Sequence, residues 1–174
     1  GNIVEYRKGL LAKIGPERNL LEPTPEAARL IIMGKPILDS EQLAKIVRLN
    51  RDGELPGYHT HVVSGLYKVA GGGRALASRI DELCGEISAA IRGGARAIVL
   101  SDRHSTPELA PIPSLLLTAA IHHHLVREKT RTRVGLVVES GDAREVHHMA
   151  VLFGYGAEAI NPYMAFESID ELVK

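Results

Sequence analysis

Arg131-Thr-Arg-Val-Gly-Leu-Val-Val-Glu-Ser-Gly-Asp-Ala-Arg-Glu-Val-His-His148 is the stretch whose reading decides the fold. An unbroken apolar run, Val134 to Val138, ends in the carboxylate of Glu139. Apolar residues without alternation suit a strand covered on both faces, which is the condition of a parallel sheet. The small-residue turn Ser140-Gly-Asp142 follows, and then a helical pattern over about 142–153. A second strand near 157–161 stops at another polar group, Asn161. This is a βαβ unit with polar side chains at the carboxyl ends of its strands.

Working outward, the same grammar repeats. A strand near 58–63 leads through Gly71-Gly-Gly73 into a helix over about 74–92. A strand over 96–101 leads through a proline-rich loop into a helix over about 112–128, and a last helix starts near Phe166. Strands alternating with helices at this spacing require a parallel sheet with right-handed crossovers. The fold class is therefore α/β: four βα units forming a parallel sheet, either a partial, half-barrel-like arrangement or a small open sheet. On the helix over 74–92, Leu76, Ile80, Leu83, Cys84, Ile87 and Ile91 share one face, which makes Cys84 a packing residue.

The first 57 residues read as an α-helical lead-in, and residues 58–174 as the βα portion. Mixed apolar spacing over 3–14 and 25–33 predicts two short helices, the second with Thr24 as N-cap and Pro25 in its first turn. Asp39-Ser-Glu41 caps a third through about Asn50, and 51–57 form a loop. The chain begins at Gly1 rather than Met and stops inside an amphipathic stretch, so it reads as a piece of something longer, truncated at its carboxyl end.

Bulk composition narrows the function. Lys plus Arg equals Asp plus Glu at 21 each, so no global field recruits nucleic acid or an anionic membrane. Five Tyr, two Phe and no Trp leave few platforms for stacking bases. A single cysteine excludes an internal disulfide and a multi-cysteine metal or iron–sulfur site within this chain. No apolar run approaches the roughly 20 residues of a membrane span, and the N-terminus is not a signal peptide, so a cytoplasmic location is expected.

The residues able to carry chemistry sit where the strands end. Ser101-Asp102-Arg103-His104, Glu139-Ser140-Gly141-Asp142 and Asn161-Pro162 each close an apolar run, at the end where α/β folds bind ligands. Asp102, Arg103 and Glu139 could serve an enzymatic or ligand-binding module; the competing reading is an ion-paired rim, with Asn161 alongside and Asp142 capping the helix it precedes. Eight histidines invite a metal site, and Glu145 with His148 or His124 with Glu128 have one-turn spacing. Yet His122, His123 and His124 sweep about 200° around a helix and cannot share a target. His123 falls amid Leu116, Ala119 and Val126, as a core imidazole; Val146, Met149, Ala150 and Phe153 form the apolar face of the helix over 142–153. No metal ligand set is assigned. Gly71–Gly73 at a helix start could cradle a phosphate, but it lacks the spacing of a P-loop or dinucleotide fingerprint.

Several segments together resemble the central domain of the glutamate synthase large subunit: Ile14-Gly-Pro-Glu-Arg-Asn-Leu-Leu21, Pro36-Ile-Leu-Asp39, Ile98-Val-Leu-Ser-Asp-Arg103, Ala110-Pro-Ile-Pro-Ser114 and His122-His-His124. The opening stretch, with Gly154-Tyr-Gly156 and Asn161-Pro-Tyr163, completes the match. The resemblance implies a domain between an N-terminal glutaminase (amidotransferase) domain and a C-terminal FMN barrel, with a small subunit as a further partner. It implies FMN and an iron–sulfur cluster in the parent enzyme and none in this chain. The family's central domain helps wall an ammonia path, and no motif transfers a catalytic, cofactor-binding or metal-binding role to a residue here.

Overall fold

The structure, a computed structural model, describes residues 12–17, 30–50 and 58–173. Strands β3 (Thr60–Ser64), β5 (Ala97–Ser101), β7 (Gly135–Glu139) and β8 (Ala159–Asn161) form one parallel sheet in the order β3-β5-β7-β8. Each crossover steps to the next strand in the same direction, so right-handed connections place every helix on one face. Those helices are α2 (Gly72–Arg92), α3 (Ser114–Arg127) and α4 (Val146–Gly154). Between them and the sheet lies a core of Val63, Ile98, Leu100, Leu136, Val138 and Ile160 packed on Leu83, Ile87, Ile121, Leu125 and Leu152. Cys84 packs against this core, and burial pushes its thiol pKa up, as a packing residue should behave.

The opposite face belongs to the lead-in. Alternate residues of the same strands, Ala97, Val99, Val137 and Ala159, are buried under Ile14, Leu38, Leu43 and Ile46. Helix α1 (Ser40–Arg48) supplies two of these, and it starts with a capping box: Asp39 Oδ1 accepts from Gln42 N at 2.7 Å while Gln42 Oε1 accepts from Asp39 N at 3.0 Å. The two helices expected upstream are not what the described residues show. Residues 12–14 and 31–33 are strands β1 (Ala12–Ile14) and β2 (Ile31–Met33), paired antiparallel with Ala12 opposite Met33. Three residues cannot display a period, and their partner is distant in sequence, so local spacing misreads them. Residues 3–11, Thr24, Pro25 and the 51–57 loop lie outside the described residues.

The lead-in also closes an edge. Leu38 N donates to Ile160 O and Ile160 N to Pro36 O, both at 2.8 Å, so a parallel bridge at Ile37 occupies the outer side of β8. A barrel cannot continue past β8 while that edge is taken. Sequential strand order with the crossover helices on one face is the partial, half-barrel-like arrangement, and the lead-in covers the other face.

Two further strands, β4 (Leu66–Lys68) and β6 (Leu109–Pro111), form an antiparallel ribbon that ties the loop after β3 to the loop after β5. Gly65 makes this possible, because a Cβ there would stand 2.7 Å from Leu117 Cδ2 and 3.2 Å from the Ser101 carbonyl oxygen. The ribbon and a 3-10 turn at Val69–Gly71 therefore intervene between β3 and α2, where a direct strand-to-helix turn is expected.

Two helix faces differ from expectation. On α3 the buried positions are Leu117, Thr118, Ile121 and Leu125, while Leu116 and Val126 are 44% and 49% exposed and His123 faces solvent. Apolar residues surround most of this helix, so the wheel has no polar side to orient it. Helix α4 begins at Val146 rather than 142, and Val146 is 85% exposed; Leu152 fills the core with Met149 and Phe153 against it.

Candidate functional site at the strand ends

Strand pairing sets the geometry. Ser101 lies opposite Glu139 and Glu139 opposite Asn161, on the face that the lead-in covers. Glu139 uses both oxygens: Oε2 accepts from Ser101 Oγ at 2.6 Å, and Oε1 accepts from Arg103 Nε. Arg103 continues outward, with Nη1 to Glu167 Oε1 at 3.3 Å and Nη2 to Ser40 Oγ at 3.4 Å, and its guanidinium lies 3.9 Å over the Tyr163 ring. One arginine thus joins the ends of β5 and β7, helix α1 and helix α5 (Tyr163–Val173). Burial alone would lower its pKa, but the pairs with Glu139 and Glu167 raise it.

Asp102 is buried and accepts from Gly141 N with both oxygens, at 2.8 and 3.0 Å, and from the Tyr163 hydroxyl. Burial pushes its pKa up, opposed by those hydrogen bonds. The Tyr163 phenol is raised strongly by burial and by the Asp102 charge. Gly141 has no room for a side chain, since a Cβ would meet Tyr163 Oη at 2.9 Å and Met164 Sδ at 3.1 Å.

Ser140, fully buried, is the next node. Its Oγ donates to Asp142 and accepts from Ser114 Oγ at 2.9 Å and Ala143 N at 3.0 Å, while its backbone N donates to Asn161 O at 2.9 Å. Asp142 does not cap the helix that follows it. Its Oδ2 accepts from Ser114 N at 3.0 Å, so it caps α3, and the hydrogen bonds from Ser140 and Ser114 hold its carboxyl down against the upward push of burial. Asn161 donates Nδ2 to Leu38 O at 2.8 Å, and its Oδ1 is a buried acceptor without a hydrogen-bond partner among the described residues.

The structure therefore brings Asp102, Arg103 and Glu139 into one lattice and links Asn161 to it through the backbone of Ser140. Both carboxylates accept hydrogen bonds from donors within the domain. Sequence spacing misses Tyr163, Ser40, Ser114 and Glu167 as members. Only the position of Tyr163, directly after Asn161-Pro162, signals its place.

The histidines bridge elements instead of converging. His124 Nε2 lies 2.8 Å from Ser88 Oγ, His61 Nε2 lies 3.0 Å from Glu86 Oε1, and His148 Nδ1 accepts from Arg144 N at 3.2 Å. Among the described residues, no group of three or more His, Cys, Asp or Glu is placed to hold a metal ion.

The opposite end of the sheet has a different character. Glu158, only 17% exposed, accepts from Arg131 Nη2 at 3.2 Å and from Gly15 N at 3.3 Å. Arg131 also donates to Val134 O, Gly156 O and His122 Nδ1. Burial raises Glu158 to about 7 despite this arginine, and burial with the Arg131 charge lowers His122. Nearby, a cleft of about 630 Å³ opens between Pro16, Glu17, Ile91, Arg92, Gly94, Arg96, Thr132 and Arg133.

Comparison with known proteins identifies the domain. Residues 8–174 match the model of the glutamate synthase central domain. The chain is 41% identical over 161 residues to a glutamate synthase (NADH) of Schizosaccharomyces pombe, covering 92% of this chain and 8% of that protein. It is 36% identical to the glutamate synthase (NADPH) large chain of Bacillus subtilis and 37% identical to ferredoxin-dependent glutamate synthase 2 of Synechocystis, covering about 90% of this chain and 10% of each relative. The chain spans a tenth or less of the length of these relatives. Match and coverage agree: the chain belongs to the glutamate synthase central domain family.

Proposed function

We propose that this domain is a non-catalytic module of a glutamate synthase, linking the amidotransferase domain to the FMN domain and helping to wall the path of ammonia between them. The parent reaction forms glutamate from glutamine and 2-oxoglutarate using reducing equivalents. The observation that carries the reading is the strand-end lattice, in which Glu139, Asp102 and Arg103 are each engaged by neighbouring groups of the domain. Such a lattice stiffens the domain and engages its carboxylates with internal donors, which suits a wall better than a reaction centre.

The cofactors implied for the parent do not fit these residues. An iron–sulfur cluster takes several thiolates, and the chain contains one cysteine. The glycine turn before α2 offers no side-chain cap, and its glycines lack the spacing of a phosphate-binding loop. Both groups belong to other parts of the parent, in a cytoplasmic enzyme. Among the described residues no helix is long and apolar enough to cross a membrane. The lead-in, 1–57, and the βα portion, 58–174, would act as one body, because the first fills the inner face of the second.

The test has two arms. The isolated chain should show no glutaminase or glutamate-forming turnover; measurable turnover that is lost in Asp102→Asn would establish the enzymatic alternative centred on Asp102, Arg103 and Glu139. In the complete parent enzyme, Glu139→Gln should leave glutamine hydrolysis intact and release ammonia, so that glutamine consumed exceeds glutamate formed. A ratio unchanged from the unsubstituted enzyme, with the variant shown to be locally loosened by hydrogen exchange, would refute the wall.

A further inference from the structure

The cleft at the amino-terminal ends of the strands is lined by three guanidiniums and one carboxylate, in a chain whose charges balance overall at 21 and 21. The three arginines come from three places: Arg92 ends α2, Arg96 precedes β5, and Arg133 precedes β7. Ala97 lies opposite Gly135, so Arg96 and Arg133 enter neighbouring strands about 4.8 Å apart and one step out of register. None of the three has a carboxylate within ion-pair distance among the described residues. Among the described residues Arg96, half-buried, makes one side-chain hydrogen bond, Nη1 to Ala95 O at 3.1 Å, out of five donors.

Arg92 has a sufficient local reason, since a cation favours the carboxyl end of a helix. Arg96 and Arg133 have none. Converging like charges repel, whereas Arg79, Arg103 and Arg131 each have a carboxylate. The apolar floor of Ile91 and Pro16 lowers the local dielectric and strengthens attraction for an incoming anion. The volume, about 630 Å³, falls in the range of small-molecule sites.

We propose that this cleft is an anion site for a compact polyanion, one carrying two or more phosphoryl or carboxylate groups, gripped by Arg96 and Arg133 with Arg92 at the mouth. Planar guanidinium forks match both kinds of group in paired hydrogen bonds. Glu17 on the rim opposes the grip, but three guanidiniums against one carboxylate leave the cleft with an excess of positive charge. The site is at the opposite end of the sheet from the strand-end lattice and does not depend on the scaffold reading.

Titration calorimetry of the 174-residue chain at low ionic strength, with inorganic pyrophosphate in one arm and citrate in the other, tests it. Saturable one-to-one binding is expected, and the stronger arm identifies phosphoryl or carboxylate as the preferred group. Arg133→Ala should weaken binding about tenfold or more, Arg96→Ala with Arg133→Ala should abolish it, and Glu17→Gln should strengthen it a few-fold. Arg133 is exposed, so its variant should fold, which circular dichroism would verify. No saturable heat up to about 10 mM of either probe, or binding that Arg133→Ala leaves unchanged, would overturn the site.

Discussion

The two ends of the parallel sheet handle polar groups in opposite ways. At the carboxyl ends, Ser101, Asp102, Arg103, Glu139, Ser140 and Asp142 answer one another in a closed network, with helix α1 and the β4–β6 ribbon drawn over it. At the amino-terminal ends, the half-buried Arg131–Glu158 pair sits beside a cleft whose arginines have no carboxylate within ion-pair distance among the described residues. In α/β folds the carboxyl ends usually hold the ligand. Here that position is filled from inside the domain, and openness has moved to the other end. Strand-end polarity is therefore a property of topology, and it becomes a site only when some of its hydrogen-bonding capacity is left over.

The largest effect should come from beneath the closed end. Leu38 is fully buried between the lead-in and the sheet, and its carbonyl receives Asn161 Nδ2. Leu38→Ala should destabilise the domain by about 4 kcal/mol in urea unfolding, the cost of a fully buried leucine truncated in a core that cannot collapse. A loss under about 1 kcal/mol would mean that the lead-in is an appendage and not half of the core.

Next comes the open end. Glu158 has a folded pKa of about 7, above its ordinary 4.5, because burial outweighs Arg131 and Gly15 N, with Glu17 adding repulsion. The folded chain thus keeps a proton that the unfolded chain releases. Stability from this group is full below about pH 4.5 and declines as pH rises to about 7, by about 3 kcal/mol across that window. Glu158→Gln should flatten that slope in melts taken between pH 5 and 7.5. An identical slope in the variant would assign the dependence to other groups.

The closed end gives a third, smaller number. Glu139→Gln retains the hydrogen bond to Ser101 but removes the charge facing Arg103, and it should cost about 2 kcal/mol. Arg103→Ala should cost a similar amount, since it strips the same carboxylate and the stacking on Tyr163.

How much of this was legible in the sequence follows from range. The βα units are legible because β5 and β7 are continuous apolar runs and α2 is long enough to show a period. Helix α1 is legible from Asp39, whose cap is local. Strands β1, β2, β4 and β6 have three residues each and distant partners, so no local pattern encodes them. The buried face of α3 is illegible because Leu115, Leu116, Leu117, Leu125 and Val126 encircle the helix, and that of α4 because Val146 precedes the turn that packs. At the site, residue identities are legible and partners are not. Asp142 looks like a cap for its own helix, and only the fold turns it toward Ser114. The arginine cleft is illegible for the same reason: Arg92, Arg96 and Arg133 meet only once the strands are paired.

The smallest effect discriminates the two ends most directly, because it uses one substitution in two places. Arg103→Ala removes a guanidinium that satisfies two carboxylates, so loss of stability is required. Arg133→Ala removes an exposed guanidinium that faces Arg92 and Arg96 across the cleft and has no carboxylate among the described residues. Its removal relieves repulsion between solvent-screened charges, an effect of about 0.5 kcal/mol or less and stabilising in sign. Low salt should enlarge the gain and high salt erase it, because only exposed charges are screened over the Debye length. If both variants instead lost about 2 kcal/mol at every salt concentration, Arg133 would be holding the fold as Arg103 does, and the contrast between a closed end and an open one would fail.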